Sequence, residues 1–324
     1  MWKTLIRRLI ILVPQLIGVS VLIFFLAELL PGDALTGQFI DDPYMTHEQL
    51  DELRRQLGLY GPWYQRYWNW LTNMFRGDFG MSIVHSQPVT NLIGERMGNT
   101  VLLSTISVII VYAFALPLGI IAGKYKGQKA EKIISFYNFV QLSIPVVVLA
   151  ILLQWIFGIM LEWFPLRGSA NVIVVAEGNA WEIMLDRIYH AILPALSLSL
   201  LAGVGIIQFL SNEINDQKQL DYVTLARAKG VPLSNVYKKH IFRNSLLPIA
   251  ANFGGIVVGL FGGAAIIERI FTFNGMGNLF VTSIQQQDWT VVNFLVIFYG
   301  ALTIIGFLLS DIMLTVFDPR IRIK

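Results

Sequence analysis

The sequence predicts an all-α, polytopic integral membrane protein with six transmembrane helices and both termini in the cytoplasm. Of its 324 residues, 55% are apolar and only 14% are charged, whereas about a quarter of the residues of a soluble domain are charged. The charged residues cluster between long apolar runs, which is the pattern of a chain that crosses a bilayer repeatedly. A helix satisfies its own backbone hydrogen bonds in lipid, so each run is predicted to be helical.

Six apolar runs are long enough for a span, which needs about 20 residues. They are residues 9–30, 100–122, 133–160, 191–210, 246–267 and 291–317. The first run follows a charged amino terminus, as in a signal peptide. It is too long for one, however, and it ends in Leu30-Pro31-Gly32-Asp33 rather than at a small-residue cleavage site. We therefore expect a retained span. The third run is long enough to tilt or to overhang the bilayer.

The distribution of Lys and Arg predicts the orientation of the spans. Residues 1–8, 123–132, 212–245 and 318–324 hold 16 of the 24 basic residues but make up only about 60 positions. The segments on the opposite side are about twice as long and hold the other 8. Because basic residues are enriched in cytoplasmic loops, the first group of segments is predicted to be cytoplasmic.

These spans divide the chain into four predicted parts. Residues 1–30 form a cytoplasmic stub and the first helix, 31–98 an extracytoplasmic segment, 99–317 a five-helix core with the cytoplasmic loop 212–245, and 318–324 a cytoplasmic tail. The extracytoplasmic segment is predicted to contain a short helix at residues 46–57. Its aromatic residues Trp63, Tyr64, Tyr67, Trp68 and Trp70 are typical of an anchor at the membrane interface. Contact with a partner protein is the alternative.

The cytoplasmic loop before the fifth span contains the most informative pattern. Residues 217–229 are predicted to form a short helix that Asp216 caps, and Gly230 and Pro232 form the stop. Tyr222, Leu225, Ala226 and Lys229 share one helical face. A helix of this length is marginal alone, so it is expected either to dock in a groove of another protein or to lie on lipid headgroups. Periodicity alone does not decide between the two.

This loop resembles the coupling motif of bacterial ABC importer permeases. Thr224-Leu225-Ala226 stands where the motif has Glu-Ala-Ala, and Gly230 matches its glycine. The residues of the motif are Asp221, Tyr222, Thr224, Leu225, Ala226, Arg227, Ala228, Lys229 and Gly230. The chain departs from the common continuation, because His240, Arg243 and Asn244 precede Leu246-Leu247-Pro248. This departure resembles the oligopeptide, dipeptide and nickel branch. The long first extracytoplasmic segment most resembles that of the first-encoded permease of this branch.

Further short motifs along the chain extend the resemblance to nearly its whole length. They are, in order, residues 30–33, 76–82, 95–100, 268–279 and 318–322. The resemblance implies the MetI-like architecture of type I ABC importer permeases, in a bacterial cell membrane. It also implies partners: a second, homologous permease, two ABC ATPase subunits that carry ATP and Mg, and an extracytoplasmic peptide-binding protein. The nine motif residues would then contact an ATPase, and the substrate would be an oligopeptide or dipeptide.

The sequence contains none of the familiar motifs of enzyme chemistry. It has no cysteine, which excludes disulfides, cysteine–zinc sites and a thiol nucleophile. It has no phosphate-binding loop of the Gly-x-x-x-x-Gly-Lys-Ser/Thr type, and no metalloprotease or hydrolase motif. We therefore expect no catalytic residue, metal or cofactor on this chain, and no nucleic-acid partner.

Three alternatives to a peptide importer remain at this point. The first is the same importer class with nickel, glutathione or another small solute as the substrate. The second is an ion-coupled secondary transporter, in which Glu28, Glu268 and Asp311 would form a relay, although links to a neighbouring helix, to the partner permease or to interfacial water are the favoured explanation of these three acids. The third is a membrane enzyme, which would need a catalytic set within the spans.

Overall fold

The computed structural model describes residues 2–29, 35, 47–56 and 60–317. Within them the chain is helical almost throughout. The helices are, in order, α1 (Trp2–Leu29), α2 (His47–Gln56), α3 (Trp63–Phe75), α4 (Val89–Lys124), α5 (Lys129–Ser143), α6 (Val146–Leu153), α7 (Val172–Glu177), α8 (Ala180–Gln217), α9 (Asp221–Ala228), α10 (Leu233–Val236), α11 (Phe242–Ser245), α12 (Leu247–Ile270), α13 (Met276–Gln285) and α14 (Trp289–Phe317). Two π-helical stretches, Gln154–Met160 and Tyr237–Ile241, continue α6 and α10.

Four described helices are long and apolar enough to cross a membrane: α4, α8, α12 and α14. A fifth span results if the bent pair Lys129–Ser143 and Val146–Met160 is counted as one. Helix α1 has 28 residues, but its apolar part, Val13–Ala27, is shorter than a full span. The structure therefore confirms the helical membrane architecture, while the number of six spans and the orientation stay predictions.

The third predicted span is strongly bent instead of being a single tilted helix. Its two halves meet at about 100°, at Ile144 and Pro145. Proline has no amide hydrogen to donate and pushes the preceding residue out of the helical region. Accordingly, Ile144 has φ −97° and ψ 119°, which is extended backbone. Pro145 was part of an otherwise apolar run, and the run was therefore predicted as one helix.

The chain forms two compact units. The first consists of Met1–Thr100 with Asn274–Ile304, and the second of Val101–Phe273 with Ile305–Lys324. In the first unit, α3 packs on α1 through aromatic rings, since the Phe24 ring lies 5.1 Å from Tyr67 and 5.4 Å from Trp70. The hydroxyl oxygens of Ser20 and Tyr67 are 3.0 Å apart. Part of the predicted aromatic anchor is thus used internally, while Tyr64 and Trp68 remain exposed.

A short hairpin in the first unit is fastened by one carboxylate. Strand β1 (Met81–Ser82) pairs antiparallel with β2 (Gln87–Pro88). Asp288, between α13 and α14, is completely buried and accepts hydrogen bonds from the Ser82 hydroxyl at 2.6 Å and the Val84 amide at 3.4 Å. Burial raises the pKa of the Asp288 carboxyl, and these hydrogen bonds act against that rise.

The second unit has two apolar clusters. One includes Leu103, Leu193, Leu260 and Ile267, and the other, described below, lies around the ends of α4 and α8. Helices α12 and α14 pack tightly at Gly254, where a Cβ atom would overlap the carbonyl group of Gly306. The Gly254 amide also donates to the Ser310 hydroxyl at 2.9 Å.

Candidate functional site

The candidate site is built on helix α9, Asp221–Ala228. The sequence predicted a longer helix from residue 217 with Asp216 as its cap, and this was wrong. Asp216 and Gln217 instead belong to the last turn of α8, and the Asp216 carbonyl accepts the Gln219 amide at 3.1 Å as that helix ends. The N-cap of α9 is Leu220, which is extended (φ −78°, ψ 149°) and provides no side-chain hydrogen bond.

The carboxyl end of α9 is a complete Schellman motif. The Gly230 amide donates to the Arg227 carbonyl at 3.0 Å, and the Val231 amide donates to the Ala226 carbonyl at 3.2 Å. Both bonds require the residue after the C-cap to be left-handed, and Gly230 has φ +75°. The glycine stop predicted from the sequence is therefore present, and it fixes where α9 ends.

One face of α9 packs against its own unit. Val223 is only 5% exposed and belongs to the apolar cluster that also contains Ile214, Val236 and Ile241. Tyr222 and Ala226 pack against the same cluster. The Tyr222 hydroxyl donates to Gln217 Oε1 at 2.7 Å, which ties α9 to the end of α8.

The opposite face of α9 is exposed; we call it the outer face. Its centre is Leu225, which is 56% exposed. Its members are Asp221, Thr224, Leu225, Arg227, Ala228 and Lys229. The sequence placed Tyr222, Leu225, Ala226 and Lys229 on one face. In the structure Val223 is the buried residue of the helix, so Tyr222 and Ala226 face the apolar cluster while Leu225 and Lys229 face outwards.

Two glycines of α4 allow a close crossing with α8, the helix to which α9 is attached. A Cβ at Gly123 would lie 2.8 Å from Ile214 Cβ and 3.0 Å from the Ser211 carbonyl oxygen, and one at Gly119 would lie 3.0 Å from Leu210. Helices α4 and α8 therefore cross closely, as small residues allow. The Lys218 ammonium donates to the carbonyl groups of Gly123 and Lys124. The spacing Gly119-x-x-x-Gly123 is the signal in the sequence that could have predicted this crossing.

The acids considered as a relay occupy different settings. Glu268 is fully buried in the second unit and has interactions within the chain. Asp311 lies in α14, is partly exposed and also has interactions within the chain. The side chain of Glu28 lies outside the described residues. The relay therefore stays an untested alternative, whereas α9 and its supports can be described in detail.

Comparison with protein families decides the class of the chain. Residues 115–323 match the family described as binding-protein-dependent transport system inner membrane component. Residues 1–105 match the N-terminal domain of the same systems. The chain belongs to this family of transport permeases. The permease is a subunit of an ABC importer and a multi-pass protein of the inner membrane.

Individual relatives agree over the full length of the permease. It is 35% identical to the oligopeptide transport system permease AppB of Bacillus subtilis, over 98% of both chains. It is 30% identical to the glutathione transport system permease GsiC of Escherichia coli K12, over 100% of both chains. The resemblance noted in the sequence, to the oligopeptide branch of ABC importer permeases, is confirmed.

A solved structure supports the fold. A chain of the inward-facing MetNI methionine ABC transporter aligns with the permease at a TM-score of 0.52 and 15% identity, covering 68% of this chain and 96% of that one. Such permeases are not themselves enzymes and carry no cofactor. The family implies an ATPase and other subunits as partners.

Proposed function

We propose that the outer face of α9 docks in a groove of an ATPase subunit and transmits its movements to the spans. The single observation that carries this proposal is that Leu225 is exposed on a short helix whose other face is anchored. An apolar side chain that is held outward on an anchored short helix is suited to insertion into a hydrophobic groove of a partner protein. The nine residues from the family motif then separate into two roles, contact on the outer face and attachment through Tyr222, Ala226 and Gly230.

The arrangement also explains how force could pass from an ATPase to the spans. Helix α9 is tied to α8 by the Tyr222–Gln217 hydrogen bond, and α8 is packed on α4 at Gly119 and Gly123. A pull on the outer face would therefore act on two long helices together. Coupling of this kind needs a rigid connection with two discrete arrangements, and the close glycine crossing supplies the rigidity.

We further propose that the complete importer contains a second, homologous permease, two ATPase subunits that bind ATP and Mg, and an extracytoplasmic peptide-binding protein. Its substrate is a peptide. Two relatives support this class, since one is named for oligopeptides and the other for glutathione, which is itself a tripeptide. Transport of labelled oligopeptides and of glutathione into ATP-loaded proteoliposomes separates the two. Uptake of neither, with uptake of nickel instead, would contradict the peptide assignment.

The docking proposal is tested by placing a charge at the centre of the outer face. Leu225→Arg would bury an unpaired charge at the interface and weaken ATPase binding by about 2–4 kcal/mol, roughly 30-fold to 1,000-fold. The membrane level of the permease should not change, because Leu225 is exposed and is not one of the residues of the apolar cluster. The measurement is the amount of ATPase subunit that co-purifies with the tagged permease.

Gln128→Arg is the matched control, since it adds the same charge to an exposed residue of another cytoplasmic segment in the predicted topology. It should retain the ATPase. Full retention of the ATPase by Leu225→Arg would show that the outer face is not the contact.

A further inference from the structure

A groove of about 410 Å³ lies in the second unit beside the inner ends of α4 and α8. Its floor is apolar and is formed by Ile120, Ile214, Ile241 and Phe242. Lys124 and Lys238 also line it, and both are exposed. The volume falls within the range of sites that bind small organic molecules. An apolar floor with two lysines at its edge is complementary to an amphiphile that has an anionic headgroup.

The positive charge around this groove is not neutralised within the described part of the chain. Lys124 and Lys218 both lie over the Tyr237 ring, with their ammonium nitrogens 5.8 and 5.7 Å from its centroid. Neither Lys124 nor Lys238 forms an ion pair with a described carboxylate. Burial lowers the pKa of Lys218, and the nearby Lys126 lowers it further. An external anion would relieve this accumulation of like charge.

In the predicted topology, the groove lies where the apolar core of the bilayer meets the cytoplasmic headgroups. Lys124 is the last residue of α4, which is long and apolar enough to span, and Phe242 precedes α12, another such helix. Basic pockets between transmembrane helices on the cytoplasmic side are typical binding places for anionic lipid headgroups. Lysine suits such a site because its stem covers apolar surface while its ammonium group stays at the polar boundary.

We propose that this groove binds an anionic phospholipid, with an acyl chain along the apolar floor and the phosphate between Lys124 and Lys238. A zwitterionic lipid could fill the floor but would not neutralise the two lysines. The competing occupant is a segment of an ATPase subunit, which would have to bring both an apolar side chain and carboxylates to the same place. The inference rests on the predicted orientation, but not on docking through the outer face of α9.

The experiment uses the complete importer in lipid nanodiscs. The probe is a phosphatidylglycerol with a photoactivatable diazirine in its acyl chain, compared with the phosphatidylcholine of the same chains. After illumination, peptides containing Ile120 and Phe242 should be labelled by the phosphatidylglycerol probe. Each lysine near an anionic surface contributes about a fivefold gain in binding, so Lys124→Gln with Lys238→Gln should reduce this labelling by roughly 30-fold.

The matched control is Lys129→Gln with Lys132→Gln, which removes the same charge from exposed residues of α5 that do not line the groove. Its labelling should stay within about twofold of the unaltered importer. Equal labelling by both lipids, or no response to the groove variant, would overturn the proposal. Labelling that appears only after the ATPase subunits are stripped off would do the same and would assign the groove to them.

ATPase content is measured in every nanodisc sample. Lipid labelling that persists in Leu225→Arg would support the lipid site whether or not the ATPase stays bound. Loss of labelling with the ATPase still present would reject the lipid site alone. The two proposals therefore fail in distinguishable ways.

Discussion

Gly230 and Asp288 are two positions at which a single residue has an identifiable energetic cost in the folded chain. Gly230 has open space where a Cβ would be added, so any penalty for substitution arises from its backbone, at φ +75°. At Asp288 the backbone conformation is ordinary and the cost is electrostatic, because the completely buried carboxylate is no longer hydrated. Both penalties can be measured by exchanging one side chain.

Gly230→Val is expected to loosen the carboxyl end of α9. A β-branched residue in the left-handed region costs about 2 kcal/mol, and the Schellman hydrogen bonds would be weakened with it. We expect co-purification of the ATPase to fall by roughly 10-fold to 30-fold, with an unchanged amount of permease in the membrane. Gly230→Asn is the control, because asparagine tolerates the left-handed conformation; it should retain most of the ATPase. Equal behaviour of the two variants would refute a backbone origin.

Asp288→Asn is expected to change how stability depends on pH. The folded-state pKa of Asp288 is raised above its usual value of 3.8, so the stability linked to its protonation is present below that value and is lost as the pH rises through the raised pKa. Asparagine can still accept the Ser82 hydrogen bond and does not ionise. The gain in melting temperature from the substitution should therefore be larger at pH 7.5 than at pH 4. A gain that is the same at both pH values would contradict this origin.

The residues of the site that sequence could predict are those with local causes. Gly230 ends a helix through its own backbone, so its role was visible from its place after Lys229. The division of α9 into two faces was not visible, since it depends on Val223 packing against Val236 and Ile241, residues that follow it in another segment. For the same reason Asp216 was mistaken for a cap, because the packing of Ile214 on Gly123 keeps α8 helical beyond it.

Among the elements, the crossing of α4 and α8 connects the spans to the candidate site. The predicted runs 100–122 and 191–210 lie inside these helices. Both helices extend beyond the runs at each end, from Val89 to Lys124 in α4 and from Ala180 to Gln217 in α8. Hydropathy marks only the part of a helix that lies in lipid. The helical residues beyond the apolar runs are instead stabilised by packing between helices. The ends of α4 and α8 form the surface against which α9 packs.

Gly123→Ala is expected to destabilise this crossing. The added Cβ would lie 2.8 Å from Ile214 Cβ and 3.0 Å from a backbone oxygen, so one helix must shift, at a cost of about 1–3 kcal/mol. Gly205→Ala in α8 is the matched control, since its Cβ would meet nothing within 4 Å. Alanine there should instead stabilise the helix slightly. Melting temperatures of the purified variants should move in opposite directions, and a shared direction would argue against a tight contact at Gly123.

At the scale of the whole molecule, composition and charge predicted the class correctly, while the number of spans stays a prediction. Low charge content and long apolar runs are consequences of the bilayer itself, so they can be recognised in any sequence of this kind. The bend at Pro145 and the short apolar part of α1 depend on local geometry and on residues that pack against them. Orientation is different again, because it is set by the cytoplasmic excess of Lys and Arg during insertion.

The orientation can be tested residue by residue, because the chain contains no native cysteine and any introduced thiol reports alone. Lys126→Cys and Arg227→Cys place exposed thiols in two segments predicted to be cytoplasmic. A membrane-impermeant maleimide should label neither in intact spheroplasts, and both in inside-out vesicles from cells that lack the ATPase subunits, which would otherwise cover Arg227→Cys. Trp68→Cys, on the exposed side of α3, is the opposite control and should be labelled in spheroplasts. Labelling of Arg227→Cys from outside would reverse the orientation and, because ATP is hydrolysed in the cytoplasm, would remove α9 from reach of any ATPase.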